Sequence, residues 1–328
     1  MEYKNLDVFV LTYNRADYLS IMLESLCTQV AKGFNIKVLN NCSTDNTLEV
    51  IEKIKNKYPD RNISVITHEK NLGNPGNFKR SQELAENEYT AIFHDDDAIH
   101  PEYIETAMKI FEENPDVVMC SGNLHGLYNV SNDNWDILSK DYYKYEKDDG
   151  VYYNLLINRP TFASNIYKTE IYKQIQYHPE LYGKLHDIIF MLDINNLGAV
   201  AFILGTCIRW RQSANNDSNN LSTGPFPEEI ANIVNRIAYL NKKHSFLGKA
   251  LLWNFAYFLY RWSVLKRFES WANFTKRLIN APGKEASFSK LEIFLFSQKW
   301  YISIFNKLII KRATYYRKKL FRNYDSRF

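Results

Sequence analysis

Four consecutive residues, His94-Asp95-Asp96-Asp97, put one imidazole and three carboxylates on a single short stretch of chain. They follow the apolar run Tyr89-Thr90-Ala91-Ile92-Phe93, which reads as a buried β-strand. Carboxylates crowded at a strand end repel one another unless a cation shares their site. Hard divalent ions take oxygen ligands, and Mg²⁺ or Mn²⁺ is commonly held by one or two carboxylates together with a substrate's phosphates. The pattern points to a metal–phosphate site; the plainer alternative is an acidic turn capping a helix that begins near Pro101. Hard ions seldom need imidazole, so His94 and His100 read more simply as strand-end and helix-start residues.

The surrounding elements must carry this cluster to one edge of a sheet. Val8-Phe9-Val10-Leu11, Ile36-Lys37-Val38-Leu39, Ile63-Ser64-Val65-Ile66, the run at 90–93 and Val117-Val118-Met119-Cys120 are short β-rich segments. Between them apolar residues recur at helical spacing, through Leu19, Met22, Leu23 and Leu26, and again through Leu48, Ile51 and Ile54. Ser43 or Thr44 suits the cap of that second helix. Further helices are expected through Leu84 and over 101–114, the latter with Pro101 in its first turn. This alternation predicts an α/β fold, a mostly parallel sheet flanked by helices. Ligands of such sheets bind beyond the carboxyl ends of the strands, where the polar clusters at 12–15, 40–45 and 95–97 all fall.

Residues 121–160 are polar and Tyr-rich and read as loops and short strands around a substrate cleft, with mixed structure over 161–212 and a polar loop over 215–224. Beyond Pro227 the chain reads as helical over 230–240, 246–266 and 290–312. A first domain is expected over 1–225, in two halves, 1–120 and 121–225. A helical, aromatic and basic C-terminal region follows over 226–328. The chain has 328 residues, 45% hydrophobic and 24% charged, enough for a substantial core. Cys27, Cys42, Cys120 and Cys207 form no CxxC pair and favour a reducing compartment over a disulfide framework. The polar N-terminus argues against a signal peptide, and no apolar run reaches membrane-spanning length.

The series Leu11-Thr12-Tyr13-Asn14-Arg15, then Asn40-Asn41-Cys42-Ser43-Thr44-Asp45-Asn46-Thr47, Asn71-Leu72-Gly73-Asn74 and Asp95-Asp96-Asp97 resembles the family 2 glycosyltransferases of GT-A fold, over about the first 215 residues. The resemblance implies a Rossmann-like GT-A catalytic domain over 1–225 with a nucleotide-sugar half (1–120) and an acceptor half (121–225), a nucleotide-diphospho-sugar donor, a divalent cation (Mn²⁺ or Mg²⁺) and inversion at the anomeric carbon. It places Thr12, Tyr13, Asn14 and Arg15 at the nucleotide, with the Tyr13 ring available to stack on the base. Asn40 stands where most members carry an Asp that accepts the uracil N–H. Its amide oxygen still accepts but its NH₂ also donates, which loosens any inference of a uridine donor. Asp45 either orders its loop or starts the next helix, and Asn71 and Gly73 shape a turn beside the nucleotide.

Within the triplet the resemblance puts Asp97 on the metal, Asp95 on ribose or metal, and Asp96 at the nucleotide sugar. It also puts a catalytic base at Asp187, whose position before an apolar run equally suits a helix cap. His186, where Glu is frequent, would tune that base or contact acceptor. Ser213 takes the place of a His that often completes the metal site. Arg209 and Arg211 are candidates for diphosphate or acceptor contacts, with ordinary surface pairing as the alternative.

The C-terminal region interleaves Trp253, Phe255, Tyr257, Phe258, Tyr260, Trp262, Phe294, Phe296, Trp300, Tyr301 and Phe305 with Lys and Arg. From Lys307 onward eight basic residues face one acid, Asp325. Such helices suit an anionic membrane surface, the competing roles being a packed bundle or an oligomer interface. No nucleic-acid motif accompanies the charge. The expected protein is a metal-dependent transferase on the cytoplasmic face of the membrane. It would move sugar onto a glycan or lipid-linked acceptor in bacterial surface polysaccharide synthesis. The rivals are a metal-dependent nucleotidyltransferase, for which a Gly-rich basic loop after the first strand is missing, and an inactive sugar- or lipid-binding relative.

Overall fold

The computed structural model describes residues 1–149, 162–212 and 227–240, with isolated positions between Ala256 and Lys311. Its first half alternates as the sequence predicts: β1 (Leu6–Thr12), α1 (Ala16–Cys27), β2 (Asn35–Asn40), α2 (Thr47–Lys57), β3 (Asn62–Thr67), α3 (Gly73–Leu84) and β4 (Tyr89–His94). The two-residue β5 (Ala98–Ile99) and then α4 (Tyr103–Glu113) follow, α4 starting two residues beyond Pro101. β6 (Val117–Leu127) runs well past the apolar segment that announces it, and β7 is Tyr142–Tyr145. The chain continues with β8 (Asn165–Lys168), α5 (Thr169–Gln174), α6 (Pro179–Tyr182), α7 (His186–Asn195), β9 (Ala199–Arg211) and α8 (Pro227–Leu240).

The strands form a 9-stranded mixed sheet in the order β3-β2-β1-β4-β8-β6-β9-β5, with β7 also on β9. β1 pairs parallel with β2 and β4, and β2 with β3, so the turns after β1, β2 and β4 open on one edge. The inner strands β1 and β4 are covered on both faces, which is why they are nearly continuous apolar runs: β1 buries Leu6, Val8, Phe9 and Val10, whereas the edge strand β3 alternates buried and exposed positions at its start. α1 lays Leu19, Met22, Leu23 and Leu26 into the core, and α4 adds Tyr103, Ile104, Ala107, Met108 and Phe111. Beyond β4 the pairing mixes directions: β8 lies antiparallel between β4 and β6, and β6 runs parallel to β9 with bulges near Gly122 and Asn123.

Two compact units emerge. The first, Met1–Tyr145, Pro160–Gln176 and Gly198–Ser213, holds the entire sheet. The second, Glu146–Arg159, Tyr177–Leu197 and Ala214–Phe328, contains α7 and α8. There Ile188–Leu192 of α7 and Ile230, Ile233, Val234 and Ile237 of α8 are buried, and Arg236 pairs with Asp193 at 2.8 Å. The expected boundary near 225, the polar loop and nearly all of the segments 246–266 and 290–312 lie outside the described residues. Among the described residues no helix is long and apolar enough to cross a membrane.

Candidate functional site

Three turns at the carboxyl edge of the parallel strands are tied together by side-chain hydrogen bonds. After β1, Asn14 takes the left-handed conformation (φ 51°); its N–H donates to Ser43 Oγ (3.0 Å) and its Oδ1 accepts the Thr44 N–H (2.7 Å). Asp45 bridges two helix starts, accepting the Ala16 N–H (3.1 Å) at α1 and the Thr47 N–H (3.1 Å) and hydroxyl (2.5 Å) at α2. It thus does what was expected of Ser43 or Thr44. Desolvation pushes the Asp45 carboxyl up, but these donors together outweigh it and hold the carboxyl below its usual value. Asn41, which the sequence did not single out, links the second turn to the third. Its Nδ2 donates to Asn71 Oδ1 (2.8 Å) and the Gly73 carbonyl (3.3 Å), and its Oδ1 accepts the Leu72 N–H (2.8 Å). Gly73 needs its φ of 70° to open α3 there.

Asn40 is buried at the end of β2. Its Oδ1 accepts the Ser43 N–H (3.0 Å) and its Nδ2 donates to Thr67 Oγ1 (3.3 Å), so the amide is already engaged in holding the turn. Thr12 is buried beside it, whereas Tyr13 is 43% exposed, its ring presented to solvent at the strand end.

The acidic turn is strung between β4 and β5. β5 pairs antiparallel with β9, Ala98 opposite Arg209, which brings the end of β9 alongside the triplet. The Arg211 N–H donates to Asp97 Oδ1 (3.0 Å), its Nε donates to the Asp96 carbonyl (3.0 Å), and its guanidinium lies over the Tyr18 ring at 4.2 Å. Arg15, from the turn after β1, donates to Asp95 Oδ1 (3.2 Å) and Asp96 Oδ2 (3.1 Å). Arg211 and Arg15 therefore converge on the triplet. Arg209 does not: its guanidinium donates to the carbonyls of Ser131, Asp133 and Asn134 and stacks on Trp135 at 4.0 Å.

Burial makes these charges costly. It pushes the Asp95 carboxyl up to about 6, against the pull of the Arg15 charge and with a further push from Asp96. Burial and then Asp96 hold Asp97 well above the carboxylate range, although the Arg211 N–H favours its ionised form. Asp97 Oδ2 is buried with no hydrogen-bond partner, an orphaned acceptor on a carboxylate that calls for a water or an ion to satisfy it. Ligand atoms of His94, Asp96 and Asp97 lie within 4.8 Å of one another. An orphaned carboxylate oxygen beside a second carboxylate fits a divalent cation.

In the second unit Asp187 occupies the first turn of α7, where its Oδ1 accepts the Ile188 N–H at 2.8 Å. His186 Nδ1 meets the Gly183 carbonyl at 2.6 Å and its Nε2 meets the Tyr177 hydroxyl. A carbonyl only accepts, so in the neutral ring Nδ1 carries the hydrogen and Nε2 accepts from Tyr177. Ser213 lies outside the described residues.

The turns, the acidic cluster and the order of the strands coincide with one family description. Glycosyl transferase family 2 matches residues 7–175. The chain belongs to that family. Among curated relatives, the uncharacterized glycosyltransferase YibD of Escherichia coli is 29% identical over 42% of this chain and 38% of its own length. The poly(ribitol-phosphate) β-N-acetylglucosaminyltransferase TarS of Staphylococcus aureus is 35% identical over 32% of this chain. That match spans 18% of TarS, so the chain covers well under two thirds of these relatives. The crystal structure of S. aureus TarS residues 1–349 in complex with UDP superposes with a TM-score of 0.61 at 22% identity, covering 98% of this chain and 93% of that one. It shares the GT-A architecture expected from the motifs.

Proposed function

We propose that this family 2 transferase moves a sugar from a nucleoside-diphosphate donor onto an acceptor hydroxyl with inversion. The observation that carries the reading is the buried, orphaned Asp97 Oδ2 at the carboxyl edge of the parallel strands, beside Asp96 and within a frame of three linked turns. A TarS structure that holds UDP supports a nucleoside-diphosphate donor here. The exposed Tyr13 stacks on the base, the turn held by Asn41, Asn71 and Gly73 shapes the wall beside it, and Asp95, oriented by Arg15, faces the ribose.

Asp97 and Asp96 hold a divalent cation, Mn²⁺ or Mg²⁺, which when bound supplies Lewis-acid stabilisation of the departing diphosphate. Arg15 and Arg211 add positive charge where negative charge develops. Asp187 takes the proton from the acceptor hydroxyl as its oxygen bonds to the anomeric carbon. The bond from that carbon to the diphosphate oxygen breaks, its electron pair leaving with the nucleoside diphosphate, and attack from the opposite face inverts the centre. The acceptor is a surface glycan or lipid-linked glycan. The C-terminal region docks on an anionic membrane through basic and apolar positions such as the exposed Ile304, Lys307, Leu308 and Lys311.

The test is a thermal-shift screen of nucleotide sugars with Mn²⁺, followed by nucleoside-diphosphate release from the stabilising donor. Asp97→Asn should lose release, and Asp187→Asn should lose transfer while keeping donor stabilisation. A wild-type chain that no donor stabilises and that turns over none would sink the reading. Liposome binding unchanged by deletion of 307–328 would remove the tail as the main lipid contact.

A further inference from the structure

We infer that His94 is a direct nitrogen ligand of the cation, with Asp96 and Asp97, and that Asp95 is not a ligand but the anchor of Arg15. The inference rests on the metal-dependent reading above and extends it to the composition of the donor set. His94 is the last residue of β4, paired with Leu11 of β1, so the sheet register fixes its backbone. From there its imidazole shares one small volume with carboxylate oxygens of Asp96 and Asp97, all three ligand atoms within 4.8 Å of one another. Two donors on one cation with bonds of roughly 2.1 Å stand about 3–4 Å apart, so only a small inward adjustment closes the set.

The neighbouring groups agree. Asp97 is held by the Arg211 N–H on Oδ1, which leaves its buried Oδ2 without a partner. Asp95 is outside the three-residue group, and its Oδ1 is taken by Arg15. Phe162 stands beside the imidazole, ring centroids 6.3 Å apart, and helps to limit where the ring can swing. A nitrogen donor among carboxylates has a chemical consequence. It favours later first-row ions, with Co²⁺ above Mn²⁺, and discriminates against Mg²⁺, whose preference is for oxygen.

The full-length chain without donor is titrated with Co²⁺, Mn²⁺ and Mg²⁺, and its Mn²⁺ complex is examined by pulsed electron paramagnetic resonance for a directly bound ¹⁴N. Wild type should show the nitrogen coupling, a reading that needs no variant to fold. His94→Gln should lose that coupling and bind Co²⁺ at least about tenfold more weakly, with a smaller loss for Mg²⁺. Asp95→Asn should keep the coupling. A Mn²⁺ complex of wild type that shows no nitrogen, or a His94→Gln variant that keeps it, overturns the assignment of His94 while leaving the carboxylate site standing. A wild-type chain that binds none of the three ions overturns both.

Discussion

Asp7 and Asp97 are both fully buried at opposite ends of neighbouring parallel strands, Asp7 near the start of β1 and Asp97 just beyond the end of β4. Every acceptor direction of Asp7 is used. Its oxygens take the N–H groups of Glu86 (3.0 Å) and Asn87 (3.2 Å), the amides of Asn87 (2.7 Å) and Asn35 (3.2 Å), and the Lys37 ammonium at 3.1 Å. Burial alone would raise its pKa, but these donors hold it below the ordinary value. Asp97 has one backbone donor, two acidic neighbours and an orphaned oxygen, and its pKa goes up. A fold that satisfies one buried carboxylate and leaves the other short of partners separates a structural acid from one kept for a ligand.

Exchanging the two acids' fates is the strongest way to break this comparison. Asp7→Ala should destabilise the chain by about 3–5 kcal/mol, because it removes the buried partner of Lys37 and leaves the N–H groups of Glu86 and Asn87 without their acceptor. Asp97→Asn should leave the denaturation midpoint of the metal-free protein unchanged or higher, since it removes a costly charge, while transfer falls about 10²–10³-fold. A large loss of stability in Asp97→Asn would place both acids in the same structural class.

The pH dependence should separate the two ends next. Asp7, depressed in the fold, contributes stability that is present above its unfolded value of 3.8 and is lost as pH falls through the folded one. Asp95 is raised from 3.8 to about 6, so the folded state binds the extra proton between those values. Stability of the metal-free chain should therefore fall as pH rises through that window, and Asp95→Asn should flatten the fall. Denaturant titrations at several pH values check both signs. The smallest effect is expected at Asn41, where Ala should cost about 1–2 kcal/mol and weaken donor binding by loosening the Asn71–Gly73 turn. Donor affinity unchanged in Asn41→Ala would detach that turn from the site.

The alternation of strands and helices was legible because parallel strands covered on both faces must be apolar throughout, as Val8–Leu11 and Ala91–Phe93 are. The acidic triplet was legible because three adjacent carboxylates are costly without a purpose. What escaped was pairing across long stretches of chain. β6 continues through polar residues to Leu127 because β9 pairs along it, and no local periodicity signals that. Arg209 and Arg211, two residues apart on β9, look equivalent in sequence, yet the segments that the fold brings to each differ: Arg209 meets the carbonyls of Ser131, Asp133 and Asn134, and Arg211 meets the triplet.

By itself the sequence determined the family, the parallel half of the sheet and the identity of the cluster at 94–97, since each is written in contiguous residues whose chemistry is local. Which of those four side chains face one another was decided only by tertiary structure. β4 pairs with β1, which sets the position of His94; β5 pairs with β9, which brings the Arg211 N–H to Asp97; and Arg15 arrives from the turn after β1 to claim Asp95. Hydrogen bonds and desolvation act over a few ångströms in space, whatever the separation along the chain, so the division of roles within the cluster belongs to the fold.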